Sequence, residues 1–226
     1  MSALLHFLCI DKYRNWSLRE PSLAGSHLLG AILAIPAIFF LGAQSAIQLH
    51  KILVISIYGV ALFSLFLASG LFHGLQCSKE RQLLLEKLDY MAIYFFIAAS
   101  YTPLCIFILN NQSGNTVLFA QWMMAFIGIA CTAKWGFACK AVQVGIFLIM
   151  GWMFLITLSQ IAISLSSRGF NLLITGCLSY SIGAFIFAFA PENFWNNRIN
   201  THLVWHICVL FGAAAHYLMI YLVIIA

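Results

Sequence analysis

The stretch THLVWHICVLFGAAAHY, Thr201 to Tyr217, decides how this chain is read. It opens an apolar run that continues to Ile225, long enough to cross the hydrocarbon of a bilayer as a helix. Yet His202, His206 and His216, three of the seven histidines, lie within it. Polar groups in lipid need partners supplied by the protein itself. The partners of these imidazoles are therefore the first question the sequence raises.

Six more apolar runs precede this one. With soft boundaries the seven are Leu23–Ala43, Ile52–Phe72, Asp89–Leu109, Thr116–Ala133, Val142–Leu165, Asn171–Ala190 and His202–Ile225. Backbone groups in lipid are satisfied most simply within helices, so each run reads as a transmembrane helix. Hydrophobic residues make up 63% of the chain and charged residues 8%, against about 25% charged in soluble domains. The expectation is an all-α bundle of seven transmembrane helices over residues 23–226, behind an N-terminal segment, residues 1–22. The opening MSALLHFLCI is too short to span and leads into charged residues, so it does not read as a cleavable signal.

Charge sets the expected orientation. With the N-terminus in the cytoplasm, that side holds Lys12, Arg14, Arg19, Lys79, Arg81, Lys87, Lys134, Lys140 and Arg198, while the other holds Lys51 and Arg168. The positive-inside rule then puts the N-terminus and segment 1–22 inside and the C-terminus outside. The basic residues are scattered, so the net charge of +5 does not suggest nucleic acid. The acids Asp11, Glu20, Glu80, Glu86, Asp89 and Glu192 all fall toward the cytoplasmic half. Without a mid-membrane carboxylate an ion-coupled carrier is disfavoured. Without a lysine in the middle of the last helix a retinal protein is excluded. Cys105, Cys131, Cys177 and Cys208 lie in or at the ends of apolar runs, and no C-x-x-C occurs, so free buried thiols are expected.

Depth brings separated residues together. The last helix enters from the cytoplasmic side, placing His202 at that rim and His206 one turn deeper on the same face. The second helix runs the other way and ends in LASGLFHGL, with His73 at the rim and Ser69 one turn below. The third starts from the same rim in KLDYMAIYF, with Asp89. Three imidazoles and a water form a common catalytic zinc set, and a carboxylate beside them can orient ligand or water. Gly70 and Gly74 flank His73 and would let a neighbouring helix approach. Other readings stand beside this one. The His202–His206 pair can be a rim pair, Ser69 a packing hydroxyl, and Asp89 a first-turn acid stabilised by the helix dipole. His27 reads as structurally hydrogen-bonded, and Cys77 as a free loop thiol with metal ligation as the lesser alternative. HLVWH lacks the glutamate of the metalloprotease motif H-E-x-x-H. His216 lies about 15 Å beyond His206 along the helix and reads as an interhelical hydrogen-bonding residue. Pro103 is expected to kink the third helix.

EPSLAGSHLLGA, SGLFHGL, KLDYMAIYFFIAASYTP and HLVWHICVLFGAAAHY, in that order, resemble the hemolysin III branch of the progestin and adipoQ receptor family, relatives of the adiponectin receptors. The likeness runs from about Glu20 to the C-terminus. It implies seven helices, a cytoplasmic N-terminus and a zinc near the cytoplasmic face. It places the zinc ligands at His73, His202 and His206, an aspartate acting through water at Asp89, and a serine at Ser69. Leu23 stands where the family usually has asparagine. By this resemblance the chain is expected to be a multi-pass protein of a bacterial inner membrane, in contact with membrane lipids. The leading function is a zinc-dependent hydrolase of a ceramide-like lipid amide. The alternatives are a non-enzymatic membrane-homeostasis sensor with structural zinc and, third, a cytolytic activity.

Overall fold

The structure is a computed structural model and describes residues 18–44, 48–136, 139–191 and 200–225. Asp11, Lys12, Arg14, Glu192, Arg198 and most of segment 1–22 lie outside the described residues. Among the described residues, seven helices are long and apolar enough to cross a membrane: α1 (Pro21–Gln44), α2 (Leu49–Gly74), α3 (Lys79–Leu109), α4 (Gln112–Trp135), α5 (Ala141–Ser164), α6 (Ser167–Phe189) and α7 (Thr201–Ile225). No strand occurs among the described residues. The chain is a multi-pass membrane protein, and every expected span is present.

Polar residues at the short connections start the helices. Ser78, Asn111, Ser166 and Asn200 each accept a hydrogen bond from a backbone N–H in the following first turn. The helices close into a ring. α7 packs on α6 and α1, α1 on α2, α2 on α3, and α3 on both α4 and α5, while α5 meets α6. In α3, 61% of the apolar window is buried, against 22% in α4, so α3 runs through the bundle and α4 lies on its outside. Leu29, Ile32, Leu33 and Phe39 of α1, Phe119 and Phe126 of α4, and Phe185 and Phe189 of α6 point outward. On apolar spans these form the lipid-facing surface.

Two helices depart from the simple reading. α3 begins ten residues earlier than the apolar run, because Ser78 caps it and Lys79–Leu88 extends it with charged residues. Asp89 therefore sits well inside a helix, and a first-turn interaction with the dipole does not account for it. After Pro103 the helix widens into π-type turns over Leu104–Leu109 and stops at Asn110, whose φ of 37° is left-handed. The kink expected at Pro103 thus takes the form of a change in winding.

α5 is helical to Gly151, tightens to a 3-10 turn over Met153–Thr157, and resumes over Leu158–Ser164. Side chains from neighbouring helices satisfy its backbone there. The Tyr101 hydroxyl donates to the Gly151 carbonyl at 2.8 Å and accepts the Phe154 N–H at 3.0 Å. Gln121 Nε2 donates to the Met150 carbonyl at 2.6 Å, and Trp152 Nε1 donates to Ser181 Oγ at 2.8 Å.

Close approach of α1 and α2 depends on Gly70. A Cβ there would lie 2.7 Å from Leu28 Cδ2 and 3.2 Å from the Leu28 backbone nitrogen. At Gly74 the nearest atom, Ala24 Cβ, would be an ordinary 3.4 Å away. Only the first of the two glycines is therefore sterically required. Gly70→Ile is expected to lower stability by roughly 1–3 kcal/mol through overpacking, while Gly74→Ala leaves it nearly unchanged. Thermal melting in detergent checks this, and equal melting points for the two variants would contradict it.

Candidate metal centre

The end of α2 builds the site. A helix C-terminus leaves its last carbonyls without intrahelical partners. Here Gln82 Nε2 donates to the Phe72 carbonyl at 2.9 Å. The backbone N–H of Glu20 donates to the His73 carbonyl at 3.0 Å, and that of Arg19 to the Gly74 carbonyl at 3.2 Å. The segment entering α1 is thereby laid along the end of α2. This carries the Glu20 carboxylate onto the His73 ring, where Nδ1 hydrogen-bonds Oε2. The Arg19 guanidinium donates to the same carboxylate oxygen at 3.1 Å and stacks on Phe72, 4.6 Å from its centroid.

His73, His202 and His206 converge as the depth argument expects. Their ring centroids form a nearly equilateral triangle with sides of 4.7, 4.9 and 4.9 Å. The planes cross at 72° to 87°, and one nitrogen from each lies within 4.8 Å of the others. His73 and His206 are buried, while His202 is half-buried.

Hydrogen bonds select the nitrogens that face inward. Glu20 takes the Nδ1–H of His73, leaving Nε2 with its lone pair. That Nε2 is buried and has no hydrogen-bond partner. Ser26 Oγ donates to the Leu23 carbonyl at 2.8 Å, so it has only lone pairs for His206 Nδ1, 3.1 Å away. His206 Nδ1 is then the protonated nitrogen, and its Nε2 is the free base. Imidazole ligands held this way by carboxylate or hydroxyl partners are the usual surroundings of zinc. An orphaned imidazole nitrogen beside two others, in lipid, fits a divalent cation. His73, His202 and His206 are the residues that can hold it.

The Ser69 hydroxyl is directed at the Asp89 carboxylate, which accepts from it. Two cavities meet at Asp89 and His202. One is a vestibule of about 640 Å³ lined by Arg19, Glu20, His73, Glu86 and Thr201 among others. The second is a narrower, mostly apolar cleft of about 110 Å³, which runs inward past Ser69, His27, Phe96, Tyr180 and Val209. Asp89 and His202 line both.

Other candidates resolve differently. Cys77 points its thiol at Gln82 Oε1, 3.5 Å away, and stands apart from the three histidines. His216 is interhelical as expected, with Nε2 3.2 Å from the Leu173 carbonyl and its ring against Gly176. His27 differs from expectation. Neither of its ring nitrogens has a hydrogen-bond partner, and its ring stacks on His206 at 3.7 Å and 7°. Sequence reasoning gave Glu20 and Ser26 no role at the site. The only signal was their place in the EPSLAGSH motif that begins α1.

Fold and site together define a seven-span membrane protein with a buried three-histidine cluster at one end of the bundle. Residues 15–217 match the family described as haemolysin-III related. The chain is 33% identical to hemolysin-3 of Bacillus cereus over 193 residues, 84% of each chain. It is also 33% identical to the hemolysin-3 homolog of Bacillus subtilis, over 84% of this chain and 87% of the other. The human monocyte to macrophage differentiation factor is 28% identical over 73% of this chain and 68% of its own length. The chain belongs to the haemolysin-III-related family.

Glu20→Ala is expected to weaken zinc binding about 10- to 100-fold, the usual effect of removing a partner that orients a ligand. His50→Ala, on a ring that packs against Phe107, should leave binding unchanged. Competition against a zinc chelator measures both, and equal affinity in the two variants would sink the assignment.

Proposed function

We propose that the protein is a zinc-dependent hydrolase of a lipid amide, working at the junction of the vestibule and the cleft. The observation that carries this reading is that Asp89 and His202 line both cavities. A lipid amide has its scissile group between a polar head and an apolar chain. Such a molecule would rest its head in the vestibule and its chain in the cleft, with the amide beside Asp89.

Zinc held by His73, His202 and His206 would supply Lewis acidity and lower the pKa of water to about 7. The chain's own groups do the rest. Asp89 holds the attacking water by a hydrogen bond, takes its proton, and hands it to the amide nitrogen as the C–N bond breaks, releasing the fatty acid and the amine. Ser69 donates to Asp89, which fixes the carboxylate and leaves its other lone pairs for water. Ser69 thus acts through the carboxylate. Glu20 and Ser26 keep the histidine nitrogens correctly turned. The apolar walls of the cleft exclude bulk water. On the Lys/Arg bias the vestibule faces the cytoplasm, in keeping with a bacterial inner membrane.

The test uses purified protein and a panel of N-acyl lipids. Asp89→Asn is expected to lose turnover by about 10²–10⁴-fold, the range for removing a general base, while retaining zinc. Turnover equal to wild type at equal zinc content would overturn the proposal.

A further inference from the structure

The two cavities differ greatly in size, the vestibule at about 640 Å³ and the cleft at about 110 Å³. Asp89, Ile93, Phe147, His202 and Trp205 line both and so form the neck between them. A closed apolar cavity of about 150 Å³ takes a six-carbon ring, so about 110 Å³ has room for about four carbons. A carbonyl placed at the neck, beside the histidine cluster, can therefore send only a short chain inward. Any greater bulk belongs on the other side of that carbonyl, in the vestibule.

α5 gives the order of depth. Val144 lines the vestibule, Phe147 the neck, and Leu148 and Trp152 the cleft beyond it. Leu148 and Trp152 lie one turn apart on one face, and the Trp152 N–H donates to the Leu148 carbonyl in the intervening turn. The deeper wall is tied in place. Trp152 Nε1 donates to Ser181 Oγ, Ser181 donates to the Cys177 carbonyl, and Tyr101 bonds α5 through both donor and acceptor. Pushing these side chains aside would leave polar groups unpaired in lipid, which is destabilising. Among the apolar walls, Leu65, Phe96 and Val209 belong to the buried core. Leu148 is only half-buried, so its side chain can change size without excavating that core.

We propose that the cleft admits an acyl chain of about four carbons beyond the carbonyl, that Leu148 sets this limit, and that the substrate class is a short-chain N-acyl amide with its bulk on the amine side. This rests on the preceding reading for the amide, but the chain-length limit needs no turnover.

Equilibrium binding of straight-chain hydroxamic acids to the zinc-loaded full chain tests this, since their head ligates zinc and their chain enters the cleft. Affinities are corrected for partition into protein-free micelles. Wild type should gain about fourfold for each methylene up to about four chain carbons, then lose affinity at about six to eight. Leu148→Ala removes three side-chain carbons and should move the maximum to about seven, whereas Leu148→Phe should move it below about four. Ile149→Ala, at a side chain 63% exposed on the lipid-facing surface, should leave it in place. A rise that continues through about eight carbons in wild type would overturn the limit. So would affinity independent of chain length, no binding at any length, or a maximum that neither Leu148 variant moves. A short-chain maximum without hydrolysis of any N-acyl amide would uphold the limit and end the hydrolase reading. Hydrolysis of long-chain amides beside a continuing rise would do the reverse.

Discussion

The Glu20 carboxylate on His73 Nδ1 is the contact from which the rest of the site follows. It arises because the end of α2 leaves carbonyls to be satisfied, and the backbone before α1 satisfies them. That pairing fixes the ring orientation of His73 and points its second nitrogen toward His202 and His206. Ser26, within the second turn of α1, performs the same selection on His206. In water such tautomer choices are weakly held. In hydrocarbon the alternative is a buried polar atom with no partner, so the choice becomes firm.

The seven spans were legible because length and hydropathy suffice to mark a helix in lipid. The irregularities were not. The start of α3 was hidden by charged residues that an apolar-run criterion discards, although Ser78 and Glu80 carry the local helix signal. The break in α5 has no proline, and Gly151 alone does not announce it. It is stabilised by Tyr101, Gln121 and Ser181, residues distant in sequence whose role appears only when the helices are assembled.

The three histidines could be matched because antiparallel spans convert sequence position into depth. Two residues at equal depth on different helices are neighbours only if the helices are held close, and here α1 does this: Gly70 admits it against α2, and it packs on α7 as well. Glu20 and Ser26 escaped because their roles depend on loop placement and side-chain direction, which depth does not encode. His27 was read through the usual expectation that a buried imidazole is hydrogen-bonded. Its stack on His206 leaves both nitrogens without partners, which no pattern in the sequence distinguishes from the common case.

The interrupted winding of α5 bears on how the chain reaches its final state. A span with unsatisfied carbonyls near its middle would insert poorly by itself. Tyr101 and Gln121, which cover the Gly151 and Met150 carbonyls, belong to helices made before α5, and only the Trp152 contact with Ser181 awaits a later one. Synthesis from the N-terminus therefore delivers α3 and α4 to the bilayer ahead of the segment that needs them. The order of helices in the gene product doubles as an order of assembly, with each backbone defect arriving after its remedy.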